Sequence, residues 1–361
     1  MPAEIRGDLP RHPNNIEPAW LTGRLRDRGI LTEGQITSVR VEMGEKWNAA
    51  YTARLLLDCH PPKSTGAPES LFVKIRDSED PYADSFPGEF AFFKEQLEAQ
   101  AQSEALPLPR CLGLFKDETS PLTCLLLEDY GASHEQPPWP LPASLPQCEA
   151  AVVALAKLHG HWWTTDLAET FLAGVDLARR RDDLAQQFER LLENFLAFVG
   201  DRLAPERRDI MRAVCARLPA LLWQRLTSGL PLTRIHGDPH SWNILFPKDP
   251  SRHGCIFIDW EDWQIQPGPF DLAYMVAYHW FPERRARYEE PLLRLYHRAL
   301  CDEISEPYRW QQLRDDYRLG ALHNFVVPWF VLDMGIAPEG WWYHLEQLFA
   351  SFEDLGCAEF L

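Results

Sequence analysis

Apolar and polar positions alternate twice between residues 36 and 58. Ile36-Thr-Ser-Val-Arg-Val-Glu-Met and Tyr51-Thr-Ala-Arg-Leu-Leu-Leu-Asp each read as a strand, joined by a loop that begins at Gly44. After the turn-rich connection from His60 to Pro68, Ser70-Leu-Phe-Val-Lys-Ile-Arg predicts a third short strand, and an antiparallel meander is the simplest assembly. Behind Pro87-Gly88 the period changes to that of a helix, with Phe90, Phe93 and Leu97 spaced three and four apart among good helix formers. An extended stretch from Leu106 and the apolar strand Thr123-Cys-Leu-Leu-Leu-Glu complete a small sheet-plus-helix lobe near residue 128. The first forty residues read as a lead-in with one small helix near Trp20 and Leu21.

The Pro-rich passage His134-Glu-Gln-Pro-Pro-Trp-Pro-Leu-Pro suits a connection between lobes. Beyond it the period is mostly helical: Cys148 to Trp163, Asp182 to Val199, Pro205 to Thr227, and several segments after Pro282. Two short apolar runs interrupt, Leu232-Thr-Arg-Ile-His-Gly-Asp and Cys255-Ile-Phe-Ile-Asp-Trp, each ending near an aspartate. A hairpin pairing the two runs is expected to bring the acids together. The fold class that follows is α+β, with residues 1–128 as one lobe and 129–361 as the other.

Composition narrows the function. The chain has 361 residues, 45% of them hydrophobic, ample for a packed core and contrary to disorder. Its net charge of -17, from 36 basic and 53 acidic residues, opposes nonspecific binding to nucleic acid or anionic lipid. Eight cysteines occur without a C-x-x-C pair or a tight cluster, so neither a zinc knuckle nor a disulfide framework is indicated. With no apolar leader and no run of membrane-spanning length, a cytoplasmic protein with reduced thiols is expected. Aromatics at helical spacing, Trp162-Trp163 and Trp341-Trp342 among them, read as core before they read as a cage for a cation.

The densest polar passage on an apolar background is His236-Gly-Asp-Pro-His-Ser-Trp-Asn-Ile-Leu-Phe. Phosphoryl transfer needs a group that orients the acceptor hydroxyl and takes its proton, with a magnesium ligand nearby, and kinase loops carry Asp and Asn at this same separation. Asp238 is the expected base and Asn243 a metal ligand. Asp259, at the end of the second run, would complete an oxygen-rich magnesium sphere with the nucleotide phosphates. Lys74 lies in an apolar strand where an inward lysine needs a partner, and Glu89 on the following helix can supply it. Such a pair positions ATP in kinases. Glu261, Asp262 and Trp263, close behind Asp259, are candidates to face the acceptor. Asp271 is read as an acceptor for loop backbone N–H groups, and His236 and His240 as hydrogen-bonding residues of the loop.

Taken together, these residues resemble the aminoglycoside phosphotransferase and choline kinase superfamily, and more closely its ecdysteroid-kinase-like branch, over about residues 40 to 280. His236-Gly-Asp-Pro-His-Ser-Trp-Asn-Ile-Leu is similar to the family's H-G-D-x-H-x-x-N-I-L loop, and Ile258-Asp-Trp-Glu with Gly268-Pro-Phe-Asp-Leu-Ala-Tyr to its second conserved block. Glu89-Phe-Ala-Phe-Phe, Leu125-Leu-Leu-Glu-Asp and Leu155-Ala-Lys-Leu-His resemble its helix start, interlobe hinge and L-A-x-L-H helix. The resemblance implies a protein-kinase-like two-lobe fold, ATP and Mg as cofactors, and adenine held by backbone groups of Glu128, Asp129 and Tyr130. It also implies phosphate contacts from the turn carrying Gly44 and Asn48, where protein kinases have three glycines and this chain has one.

The expected activity is an ATP- and magnesium-dependent kinase acting on a hydroxyl of a small molecule, the acceptor lined by parts of 160–230 and 320–350. No D-F-G to A-P-E activation segment follows Asp259, which favours a small acceptor over a protein. The expectation requires residues 74, 238, 243 and 259 to converge. Two alternatives stand beside it. A metal-dependent hydrolase using His236, Asp238 and His240 leaves Lys74 and Asn243 unexplained. A silent nucleotide-binding module is disfavoured by the joint presence of Lys74, Asp238, Asn243 and Asp259.

Overall fold

The computed structural model describes residues 9–44, 50–61, 67–77, 88–98, 106–166 and 177–361. They form an α+β chain that divides into two compact units, Met1–Glu135 with Pro247–Asp262, and Gln136–Phe246 with Trp263–Leu361.

The first unit is built on five antiparallel strands: β1 (Gln35–Met43), β2 (Ala50–His60), β3 (Ser70–Arg76), β4 (Cys111–Lys116) and β5 (Thr123–Glu128). Their order is β1-β2-β3-β5-β4, so the expected meander holds for three strands and then breaks. β5 takes the inner position because its four central residues, Cys124 to Leu127, are all buried, as an interior strand flanked on both sides allows. Strict alternation in β3 sends Leu71, Val73 and Ile75 into the core and turns Phe72, Lys74 and Arg76 to the other face. The core face is covered by α1 (Pro18–Asp27), whose Leu21 and Leu25 pack in one cluster with Val73, Ile75 and Leu126. α2 (Gly88–Glu98) opens with Glu89 in its first turn, where the helix dipole favours an acid.

Gly44 ends β1 against β2, its N–H bonded to Thr52 O at 2.9 Å; a Cβ there would meet Thr52 Oγ1 at 2.6 Å, so the approach requires glycine. Asn48, expected beside the phosphates, lies outside the described residues. A single boundary after residue 128 is also not what the contacts give, because 247–262 returns to the first unit. Lys248 N–H bonds Ser133 O and Phe257 N–H bonds Pro107 O, each at 2.9 Å, and Trp260 stacks on Phe92 of α2 at 4.1 Å.

The second unit is mainly helical. α3 (Leu145–His161) starts at a capping box of Ser144 and Gln147 and packs on the helix Pro282–Glu303. Leu177–Val199 packs on both Pro205–Leu226 and Val326–Asp333. The run at 232 forms the strand Thr233–Ile235, whose antiparallel partner is Gln264–Gln266, with Ile235 opposite Gln264. The expected pairing of this strand with 255–258 is therefore replaced. The second run stops at Phe257, and the tight turn Trp260–Asp262 ends it before it can extend a ladder toward the first. A short helix Pro269–Leu272 passes into a π-helical turn, Ala273–Tyr278. No helix among the described residues is long and apolar enough to cross a membrane.

Candidate functional site

In the first unit the chemistry gathers around Lys74. Its Nζ lies 2.7 Å from Asp259 Oδ1, 2.7 Å from Glu261 Oε1 and 3.0 Å from Glu89 Oε2. The partnership of Lys74 with Glu89 is thus present, joined by two further acids. Burial works against the lysine's charge, but Asp259, Glu89 and Glu261 outweigh it and hold the ammonium well above the usual lysine range. Burial also raises Glu89, which Lys74 partly offsets.

Asp259 reaches this group from a left-handed backbone, φ +64°, the only described non-glycine residue with positive φ. Such a conformation costs roughly 1–2 kcal/mol outside glycine, somewhat less for aspartate, and is held here by its neighbours. Trp260, fully buried, donates its backbone N–H to Glu89 Oε1 at 3.2 Å and its indole N–H to Phe257 O at 2.8 Å.

Glu261, expected to face the acceptor, bonds Lys74 and also Arg76, 2.6 Å away. Arg76 was missed, although it follows Lys74 by two positions and so shares its face of β3. Asp262 is half-buried in the turn Trp260–Asp262. At the end of β5, Glu128 N–H bonds Arg110 O at 3.0 Å, Tyr130 Oη accepts from Arg110 N–H at 3.1 Å, and the Asp129 carboxylate pairs with Arg54. These bonds fix the segment expected to meet adenine.

The second unit carries the 236–243 loop. The Asn243 side chain donates to Asp238 Oδ2 at 3.0 Å and to Asp238 O at 3.0 Å, a local contact that the five-residue spacing permits. His240 Nε2 is 3.6 Å from Asp238 Oδ2, and Asp238 N–H donates to His236 Nδ1 at 3.2 Å. Asp238 Oδ1 is buried and has no hydrogen-bond partner among the described residues.

The loop is held from behind by Asp271, fully buried, which accepts His236 N–H at 2.7 Å and Gly237 N–H at 2.9 Å. His159 Nε2 approaches the same carboxylate at 3.1 Å, while its Nδ1 meets Tyr296 Oη at 2.8 Å. Trp263 is buried in this unit beneath the Arg234 guanidinium, 4.9 Å from the ring centre. Around the loop stand Tyr278, His279 and His344, which sequence reasoning missed because nothing local marks residues so far along the chain as its neighbours. His240 and His279 lie 5.8 Å apart, and Tyr278 stacks on His344 at 4.5 Å.

Among the described residues, the three-donor group close enough to share a cation is Glu89, Asp259 and Glu261, all within 4.8 Å of one another. Its hard oxygen donors suit magnesium better than a soft metal. His236, Asp238 and His240 do not form such a group: His236 is fully buried, with Nδ1 turned to the Asp238 amide. That removes the geometric basis of the hydrolase alternative.

Comparison with solved structures finds choline kinase LicA from Streptococcus pneumoniae, 14% identical, covering 89% of this chain and 94% of that one with a TM-score of 0.48. A microcompartment-associated aminopropanol kinase is 11% identical over 90% of this chain and 94% of that one, with a TM-score of 0.44. Among curated proteins nothing matches. The family model described as the phosphotransferase enzyme family matches residues 63–311, more than half of the chain and inclusive of Lys74, Glu89, the Asp238 loop, Asp259 and Asp271. The chain belongs to the phosphotransferase enzyme family.

Proposed function

We propose that the protein is a small-molecule kinase, transferring the terminal phosphoryl group of ATP, with magnesium, to a hydroxyl of a small acceptor. Asp238 carries the reading: one carboxylate oxygen is fixed by Asn243 while the other is buried without a partner among the described residues. A buried acceptor left unpaired costs about 1–3 kcal/mol, a cost that an incoming hydroxyl would remove by donating to it. As the oxygen–phosphorus bond forms, the hydroxyl proton passes to Asp238 and the bond to ADP breaks with its electron pair.

Asp259 and Asn243 would be magnesium ligands in this reading, and the crowded carboxylates around Lys74, Asp259 among them, support an oxygen-rich cation site. When bound, the metal would neutralise phosphate charge. Lys74, oriented by Glu89, would face the phosphates, and backbone groups of Glu128 to Tyr130 would hold the adenine. Within the family, the ecdysteroid-kinase-like branch is the one the sequence resembles more closely, and the chain is placed there in this reading. A cytoplasmic location, with the eight free thiols kept reduced, belongs to the same reading.

The test is purified protein with ATP, MgCl2 and a panel of alcohols, following ADP release and the phosphorylated product by phosphorus NMR. Asp238→Asn should lower kcat by about 10²–10⁴-fold with nucleotide affinity retained. Transfer that survives this substitution, or nucleotide binding with no transfer to any alcohol, refutes the proposal.

A further inference from the structure

A cavity of about 70 Å³ opens beside the Asp238 loop within the second unit. Trp242 of the loop lines it, with His279, Trp280, Arg284, His344 and Gln347. It lies near the proposed base: His240, 3.6 Å from Asp238 Oδ2, has its ring 5.5 Å from Trp242 and 5.8 Å from His279. Nothing in the family match or the loop motif assigns a role to Gln347, His344 or Arg284.

Two buried polar atoms of the lining have no partner among the described residues. Gln347, only 2% exposed, leaves Oε1 without a donor, and Trp242 leaves its indole N–H without an acceptor. Both residues belong to the wall of one cavity, and an acceptor and a donor left without partners in such a wall are together satisfied by hydroxyl groups, which do both. The two histidines add acceptors. His279 Nδ1 is 2.9 Å from Tyr274 O and His344 Nδ1 is 3.0 Å from Tyr278 O. Carbonyls only accept, so in each ring the proton is on Nδ1 and Nε2 keeps its lone pair. Burial keeps both rings neutral, pushing His344 down to about 4 and His279 well below the usual histidine range.

The charge of the lining decides between neutral and cationic ligands. Among the described residues, no carboxylate lines the cavity. Its charged lining group is Arg284, held 3.9 Å from the Trp280 ring centre, and a fixed guanidinium repels an incoming ammonium but not a neutral hydroxyl.

We propose that this cavity receives a neutral, hydroxyl-bearing part of the acceptor, so that the substrate class is a small polyol rather than a quaternary or primary amine. This rests on the kinase reading for the word acceptor, while binding itself can be measured without turnover. The region differs in part from the one expected from sequence: residues 343–347 fall within 320–350, but 242 and 279–284 lie outside both expected segments.

Binding of erythritol, xylitol and myo-inositol, and of choline and ethanolamine, to the full chain would be measured by saturation-transfer NMR and calorimetry. The proteins would be wild type, Gln347→Leu and Trp242→Phe. At least one polyol should bind about tenfold more tightly than either amine, and each substitution should weaken it about threefold to tenfold with the melting temperature retained. Should Gln347→Leu not fold, Trp242→Phe carries the same comparison. An amine binding more tightly, no polyol binding at all, or unchanged polyol affinity in the folded variants overturns the proposal. Polyol binding lost in the variants, with no phosphoryl transfer in wild type, would support the cavity assignment and refute the kinase reading. Transfer to amines without polyol binding would do the reverse.

Discussion

Asp271→Asn tests whether one buried carboxylate holds the Asp238 loop in place. The two oxygens of Asp271 accept from His236 N–H, Gly237 N–H and His159 Nε2 at 2.7, 2.9 and 3.1 Å. A carboxylate only accepts, whereas asparagine presents an NH2 at one of the two positions. In one rotamer it opposes Gly237 N–H; in the other it opposes His236 N–H and His159. Gly237 has φ +86°, a conformation that glycine adopts without steric cost and that turns its N–H toward the carboxylate. At least one buried donor is stranded and charge-assisted bonds are lost, a destabilisation of about 2–5 kcal/mol. In urea unfolding followed by tryptophan fluorescence, the midpoint should fall by roughly 0.7–2.5 M for a slope of about 2–3 kcal/mol per M. Because Asp271 acts through the loop, kcat should fall by about a hundredfold, the usual consequence of a misplacement near 1 Å, with KM for ATP little changed. An unaltered midpoint together with an unaltered kcat would refute the positioning role.

Lys74→Ala leaves Glu89, Asp259 and Glu261 crowded without their shared cation, so the melting temperature should drop and recover in part with millimolar MgCl2, while turnover falls at least about a hundredfold. His344 is held at about 4 when folded against an unperturbed 6.5. Between those values the unfolded chain binds the extra proton, so stability rises with pH and is lost as pH falls from 6.5 toward 4, on the order of 3 kcal/mol from this residue. Urea midpoints across that window should therefore show a shallower pH slope in His344→Gln than in wild type. Arg225 Nε lies 2.6 Å from buried Asp316, which also accepts from Tyr308 Oη at 2.6 Å. Arg225→Met should cost about 3–5 kcal/mol by urea titration, and Arg225→Met with Asp316→Leu should recover part of it.

What was legible in the sequence is what depends on short range. The strand at 70–76 and the need of Lys74 for a partner on the next helix were readable there, and the five-residue spacing of Asp238 and Asn243 allowed their hydrogen bond within one loop. The contact of Asp271 with the loop N–H groups was also anticipated, through its motif rather than its spacing. The place of Glu261 was not, because a residue two positions past a left-handed aspartate can face either way until Trp260 is seated on Phe92. Nor did local pattern point to Thr233–Ile235 pairing with 264–266 rather than 255–258, since Gln264-Ile265-Gln266 is too short and too polar to stand out beside the apolar run at 255–258.

By itself the chain's order of residues determined the alternating strands, the amphipathic helices and the loop that joins Asp238 to Asn243, since periodicity and near-neighbour hydrogen bonds need only a few adjacent positions. Only the tertiary structure decided that three acids share Lys74, that 247–262 packs with the first unit, and that Gln347 leaves an unpaired oxygen in a cavity lined by Trp242. Those contacts join residues from 15 to 187 positions apart. Their choice is made by side-chain packing and by the cost of burying polar groups unpaired, neither of which is written in any local window of sequence.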